Sequence, residues 1–211
     1  RQISEIEEKV VKKKAGFWME VKEWAVALIV AVRVVFVIQT FLFRIIRVDG
    51  HSMDTTLADG ERLFVTVTDV KFGNIDRDSV VICHYPNRGR TFFVKRVVGL
   101  PGDTVECAGN GAPIVINGVP IDESAYLKPG VEPSRSAFSV TVPAGRLFVL
   151  GDNRANSADS RAHTNDGAQG LVPVGDVEGV AFMRYWPLNR VGWLSAHHDV
   201  FRAVPSRTPT S

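Results

Sequence analysis

Gly50-His51-Ser52-Met53-Asp54-Thr55-Thr56-Leu57 stands where the chain changes character. Upstream lies a continuous apolar run, Trp24 to Phe43, with no glycine or proline. Downstream the chain breaks into short stretches rich in Val, Ile, Leu, Phe and Thr, separated by turn residues. These are Arg62–Thr68, Ser79–His84, Thr91–Val98, Ala137–Val142, Arg146–Leu150 and Val177–Met183. Ile114–Ile121 reads as a hairpin through Asn117-Gly118. Leu100-Pro101-Gly102-Asp103 and Pro143-Ala144-Gly145 are turns, and residues 151–170 form a polar, ordered loop. The reading that follows is a mainly β domain behind a single long helix.

Upstream, residues 1–14 read as a short charged helix, with Ile3, Ile6 and Val10 at helical spacing and Lys12-Lys13-Lys14 at its end. The run 24–43 has about the ~20 residues that cross a bilayer. Arg33 within it costs roughly 2.5–3.5 kcal/mol on insertion scales. About a dozen Val, Ile, Leu and Phe side chains at roughly −0.3 to −0.6 kcal/mol each outweigh that cost. Lys9, Lys12, Lys13, Lys14 and Lys22 precede the run, and only Arg44, Arg47 and Arg62 follow it closely. The positive-inside rule places the N-terminus in the cytoplasm and the β domain on the extracytoplasmic side. Trp18, Trp24, Phe41 and Phe43 sit where an interfacial belt would.

The 211 residues carry a formal net charge of +2, so no basic field points to nucleic acid. Mean hydropathy is +0.04, with the apolar residues concentrated in one run. Cys83 and Cys107 form no CxxC pair, which leaves one bridge or two free thiols and no metal or redox motif. No cofactor is expected.

A serine hydroxyl needs a base to become a nucleophile. His51 adjoins Ser52 and points to the opposite face of an extended chain. His84, His163, His197 and His198 have no triad setting. A lysine can serve if burial lowers its pKa from about 10.4. Lys95 lies in Thr91-Phe-Phe-Val-Lys-Arg-Val-Val98, sharing a face with Phe93 and Val97 while Arg96 points the other way. A lysine on a strand is more often solvated, and spacing alone does not pair it with Ser52.

Three stretches decide the matter. Ser52-Met-x-x-Thr-Leu57, Val94-Lys-Arg-Val-Val-Gly-Leu-Pro-Gly-Asp103 and Leu150-Gly-Asp-Asn-Arg-x-Asn-Ser-x-Asp-Ser-Arg161 resemble bacterial type I signal peptidases, in the family's order and behind a membrane span. The resemblance covers roughly residues 20–194. It implies a signal-peptidase-like β-barrel or sandwich catalytic domain with one N-terminal transmembrane helix. The division is 1–23 cytoplasmic, 24–43 membrane, 47–194 catalytic with a smaller β insertion at 104–143, and 195–211 a flexible tail. It implies a single-pass cell-membrane enzyme that cleaves signal peptides from exported preproteins at Ala-x-Ala-like sites, close to the lipid bilayer.

By the same resemblance, Ser52 is the nucleophile and Lys95 the general base. Ser157 hydrogen-bonds and orients the lysine amine. Asp159 with Arg161, and Arg96 with Asp152, are supporting ion pairs, read as exposed and of small energetic weight. The Ser52 backbone N–H is one oxyanion donor. Gly50 stands where some members carry a second donor hydroxyl, and the absence of one donor can cost roughly 2.7–4 kcal/mol. Ile46, Val48, Met53, Leu57, Phe93 and Val94 line the pocket that admits small side chains. The substrate pairs as a strand with edges near Ser79–Cys83 and Asp49–Ser52. Thr55 replaces the family's usual proline and Asp49 another. A LexA-like self-cleaving regulator is disfavoured by the span and the Gly-Asp-Asn-Arg loop. A non-catalytic tethered scaffold is disfavoured by the presence of both Ser52 and Lys95.

Overall fold

A computed structural model of the chain describes residues 2–85, 91–163, 170–194 and 198–207. The chain falls into two compact units, Arg1–Leu42 and Phe43–Ser211. The first is one α-helix, α1 (Gln2–Phe41), of 40 residues. The expected short charged helix and apolar helix are therefore continuous through Ala15-Gly16. A single glycine costs about 1 kcal/mol against alanine, too little to break a helix with good formers on both sides. Large apolar side chains along it are exposed, among them Trp24, Leu28 and Phe36. Among the described residues no helix is long and apolar enough to cross a membrane. The expected span 24–43 also ends differently, since α1 stops at Phe41 and Phe43 opens β1.

The second unit is mainly β. Its elements in order are β1 (Phe43–Arg47), β2 (Arg62–Thr66), the one-turn helix α2 (Thr68–Phe72), β3 (Val80–Cys83), β4 (Phe93–Gly99), β5 (Thr104–Cys107), β6 (Val115–Ile116) and β7 (Val119–Pro120). Then follow β8 (Phe138–Thr141), β9 (Arg146–Leu150), β10 (Val172–Pro173), β11 (Val177–Trp186) and β12 (Gly192–Trp193). Eight strands make a curled sheet in the order β1-β2-β11-β3-β4-β9-β10, with β12 on β11. A four-stranded sheet, β7-β6-β5-β8, is built from the segment between β4 and β9. The β6–β7 hairpin turns at Asn117 (φ 55°) and Gly118 (φ 85°), the pair of positive φ values a two-residue turn of this type requires.

β4 lies inside the large sheet, between β3 and β9, with Val81 opposite Lys95 and Val80 opposite Arg96. Alternate residues therefore enter different cores. Phe93 and Val97 pack with Val81, Leu147 and Val149. Val94 packs with Val48, Met53, Leu57 and Ile82.

The C-terminal segment departs from the expected loose tail. Phe201 and Val204 are buried in the core that Val98, Val105 and Phe148 share. Arg77 donates to the carbonyls of Val204 (3.5 Å) and Pro205 (3.1 Å). Phe201 ends a short 3₁₀ turn at His198–Phe201, and the Val204 N–H donates to Phe201 O at 3.0 Å, so two apolar side chains three apart dock the segment.

Candidate active site

The turn after β1 presents Ser52. Met53 and Leu57 sit one helical turn apart and are both buried, at 1% and 0% exposure. Leu57 N–H donates to Met53 O at 2.8 Å, closing that turn. The base of the loop is pinned by Val48 N–H to Glu61 O and Gly60 N–H to Val48 O, both 2.8 Å, and Gly50 N–H donates to Asp59 Oδ1 at 2.7 Å. With its neighbour anchored in the core, Ser52 stays half-buried at the surface of the domain.

Lys95 Nζ lies 2.6 Å from Ser52 Oγ and 3.2 Å from the Val94 carbonyl. Lys95 is 2% exposed, and the Phe93 ring lies 5.8 Å from its amine. Burial lowers its pKa from the ordinary 10.5, and the negative charge of Asp159 opposes that shift in part. The charged ammonium donates to Ser52 Oγ. The neutral amine can accept the hydroxyl proton along the same line. His51, exposed, faces Asp54 Oδ2 at 3.1 Å, so no imidazole competes for the serine.

Asn153, a residue the motif contains and the sequence reading passed over, holds the turn of Ser52 directly. Its N–H donates to Ser52 O at 3.0 Å, and its Nδ2 donates to His51 O at 2.8 Å. The signal was available: an amide side chain between Gly151-Asp152 and Arg154 can donate from backbone and side chain to one adjacent strand. Ser157 differs from expectation. Its Oγ is buried and makes no hydrogen bond among the described residues, so the expected bond to Lys95 is not formed. It lies near Asp159 and helps lower that carboxyl's pKa without a bond of regular geometry.

The two ion pairs are not exposed. Arg96 and Asp152 are 0% exposed at their side chains. Arg96 Nε and Nη2 donate to Asp152 at 2.9 and 2.7 Å, and Nη1 pairs with buried Asp78. Thr56 Oγ1 completes the group with a 2.5 Å bond to Asp152 Oδ2. The Tyr126 ring covers the guanidinium at 4.3 Å. Sheet alternation turned Arg96 away from Lys95 as anticipated, but the far face of β4 is roofed by protein, not by water. Asp159 is fully buried, bonded by Arg161 Nη2 (2.8 Å) and Gly151 N–H (3.0 Å). Burial pushes its carboxyl up, and the Arg161 guanidinium, the Gly151 N–H and Ser157 together hold it below the usual carboxylate range.

A cleft of about 370 Å³ opens beside Ser52. Ile46, Val48, Met53, Phe93 and Val94 line it, with Phe92 and Thr91 at one side. Leu57, expected in this wall, is instead behind it in the core. Among the described residues no cluster of His, Cys, Asp and Glu is arranged to hold a metal ion.

Residues 21–186 match the family model described as signal peptidase, peptidase S26. The chain is 36% identical over 192 residues to signal peptidase I P of Bacillus subtilis subsp. natto, covering 87% of this chain and 96% of that protein. It is 38% identical over 191 residues to signal peptidase I of Bacillus amyloliquefaciens, covering 86% and 92%. Among solved structures, a signal peptidase I from Enterococcus faecalis V583 is 32% identical, with a TM-score of 0.40 over 50% of this chain and 95% of that one.

Proposed function

The chain belongs to the signal peptidase family, peptidase S26, as a serine endopeptidase that cleaves signal peptides, and we propose that Ser52 and Lys95 are its catalytic dyad. The observation that carries this reading is the 2.6 Å approach of a buried lysine amine to a half-buried serine hydroxyl. Neutral Lys95 takes the Ser52 proton as Oγ attacks the scissile carbonyl. The resulting ammonium gives that proton to the leaving amine, and the acyl-enzyme forms. Lys95, neutral again, then activates the water that releases it. The Ser52 N–H, which no hydrogen bond engages among the described residues, is free to bind the developing oxyanion.

Ser157, Asp159, Arg161, Arg96 and Asp152 act on this reading by holding the loop and strand that carry the dyad. Ile46, Val48, Met53, Phe93 and Val94 supply a shallow apolar wall suited to small side chains, in keeping with Ala-x-Ala-like sites. The extended substrate would lie along Asp49–Ser52 beside the cleft. Ser79–Cys83, expected as a second edge, is not one, because β3 is hydrogen-bonded to β11 on one side and β4 on the other.

We further read the chain as a single-pass membrane protein with a cytoplasmic N-terminus, a span in the apolar part of α1 from Trp24 onward and an extracytoplasmic catalytic unit. Support comes from the exposed apolar side chains of Val26 to Ile38 and the lysines ahead of them. In the second unit, Phe43, Ile45, Trp186, Leu188 and Trp193 are exposed, a set suited to lying against lipid. The decisive assay is cleavage of a preprotein with an Ala-x-Ala site by the wild type, Ser52→Ala and Lys95→Ala. Both variants should be inactive. Undiminished cleavage by either one refutes the dyad.

A further inference from the structure

Thr55 stands where the resembling family usually has proline, and its backbone is at φ 101°. A β-branched residue seldom occupies that region, and proline, fixed near −65°, cannot reach it. The turn therefore carries a backbone conformation that is unfavourable for threonine, and something must hold it.

The hydroxyl does so. Thr55 Oγ1 donates to the Tyr126 carbonyl at 2.7 Å. Tyr126 is itself locked. Its own hydroxyl donates to Glu123 Oε1 at 2.6 Å, and Glu123 pairs with the buried Arg154 guanidinium at 2.5 Å. Arg154 Nε donates to Gly151 O at 3.0 Å, and the Tyr126 ring lies over Arg96. One acceptor, between β7 and β8, is thus tied to the strand of Lys95 and to the loop whose Asn153 holds Ser52 O. We propose that the Thr55–Tyr126 hydrogen bond is a tether that positions the nucleophile turn against Lys95. Thr55 and Tyr126 are positioning residues; neither touches the reacting atoms. The inference rests on the reading of Ser52 and Lys95 as the dyad.

The test uses the full chain in detergent micelles with an Ala-x-Ala peptide, reading kcat, KM and the thermal midpoint. Thr55→Val keeps the shape and the φ constraint and removes the donor. It should lower kcat by about fivefold, the factor matching one hydrogen bond of ordinary net strength, with KM unchanged. Thr55→Ser keeps the donor and should restore kcat. Tyr126→Phe releases the ring from Glu123 and should lower kcat in the same sense; it reads the tether even if Thr55→Val does not fold. Wild-type kcat in both Thr55→Val and Tyr126→Phe, or an equal loss in Thr55→Val and Thr55→Ser, overturns the tether. Ser52→Ala separates the two levels. If it is inactive while Thr55→Val is fully active, the tether alone fails; if it is active, the dyad reading fails and the tether with it.

Discussion

One methyl group tests how tightly Ser52 is held. A Cβ at residue 151 would lie 2.2 Å from Ser157 Oγ, 2.7 Å from Ser157 Cβ and 2.4 Å from Ser52 O. The serine hydroxyl at 157 can rotate away. Ser52 O cannot, because it is backbone and already accepts the Asn153 N–H at 3.0 Å. Non-bonded heavy atoms are comfortable only from about 3.5 Å, so the two segments must part by roughly 1 Å. The displacement falls on the residue whose Oγ is 2.6 Å from Lys95 Nζ. A misplacement of about 1 Å at a reacting group can cost around 10²-fold in rate, while overpacking costs about 1–3 kcal/mol in stability. Gly151→Ala should therefore lose about two orders of magnitude in kcat yet remain folded. Gly175→Ala, where an added Cβ meets nothing within 4 Å, is the control and should behave as wild type. The assay is cleavage of a fluorogenic Ala-x-Ala peptide with parallel thermal unfolding. A Gly151→Ala kcat within roughly threefold of wild type would refute the claim that the 151–153 turn fixes Ser52.

Lys95→Met should abolish cleavage and raise stability at neutral pH, since the folded state there carries the cost of the buried amine. The sign follows from linkage. Between its lowered folded pKa and 10.5 the unfolded lysine holds a proton that the folded one does not, so stability rises with pH in that window. Denaturant titrations across pH should show this slope in wild type and its loss in Lys95→Met. By the same shift, the kcat/KM profile should plateau below the pH at which a free lysine titrates; a rise confined to about pH 10.4 contradicts a buried base. Arg96→Met leaves Asp78 and Asp152 buried without their cation and should cost about 3–5 kcal/mol by urea unfolding; under about 1 kcal/mol would mean the group is solvated. Cys83 and Cys107 are free and buried, and burial pushes the Cys83 thiol up to about 12. Both should resist thiol reagents at pH 8 in the folded chain and react after denaturation; labelling of native Cys83 at a free-thiol rate would contradict its burial.

Much of the architecture could be read from local pattern. Arg146–Leu150 is one strand as read, and the Asn117-Gly118 turn carries the positive φ values its residues suggest. What escaped was structure with weak local signal. β1 was masked by its attachment to the apolar run, although Phe43-Arg-Ile-Ile-Arg47 pairs with β2 along its whole length. β5, β10 and β12 are short strands whose identity comes from the partner. The C-terminal segment looks polar on average, and only the burial of Phe201 and Val204 reveals that it closes a core.

The site shows the same division more sharply, within two adjacent residues. Lys95 and Arg96 are both buried, for opposite chemical reasons. Lys95 is shut away from water against Phe93 and a hydroxyl, and burial outweighs the opposing charge of Asp159, so its pKa is lowered. Arg96 faces two carboxylates, so its charge is kept and used to fasten Asp152, Thr56 and Asp78 together. Strand alternation predicts the divergence of the two side chains, and the apolar neighbours of Lys95 lie in its own strand, where they can be read. The carboxylates around Arg96 come from the turn before β3 and the loop after β9, and its aromatic cover comes from between β7 and β8. No window of sequence contains them together, so an arginine that braces the strand of Lys95 reads as a solvated one. The buried lysine is thus legible from its own strand, while the bracing of the arginine beside it is a property of the closed sheet. It follows that substitutions at Tyr126 or Asp78 should disturb catalysis through geometry, lowering kcat while the pH at which Lys95 loses its proton moves little.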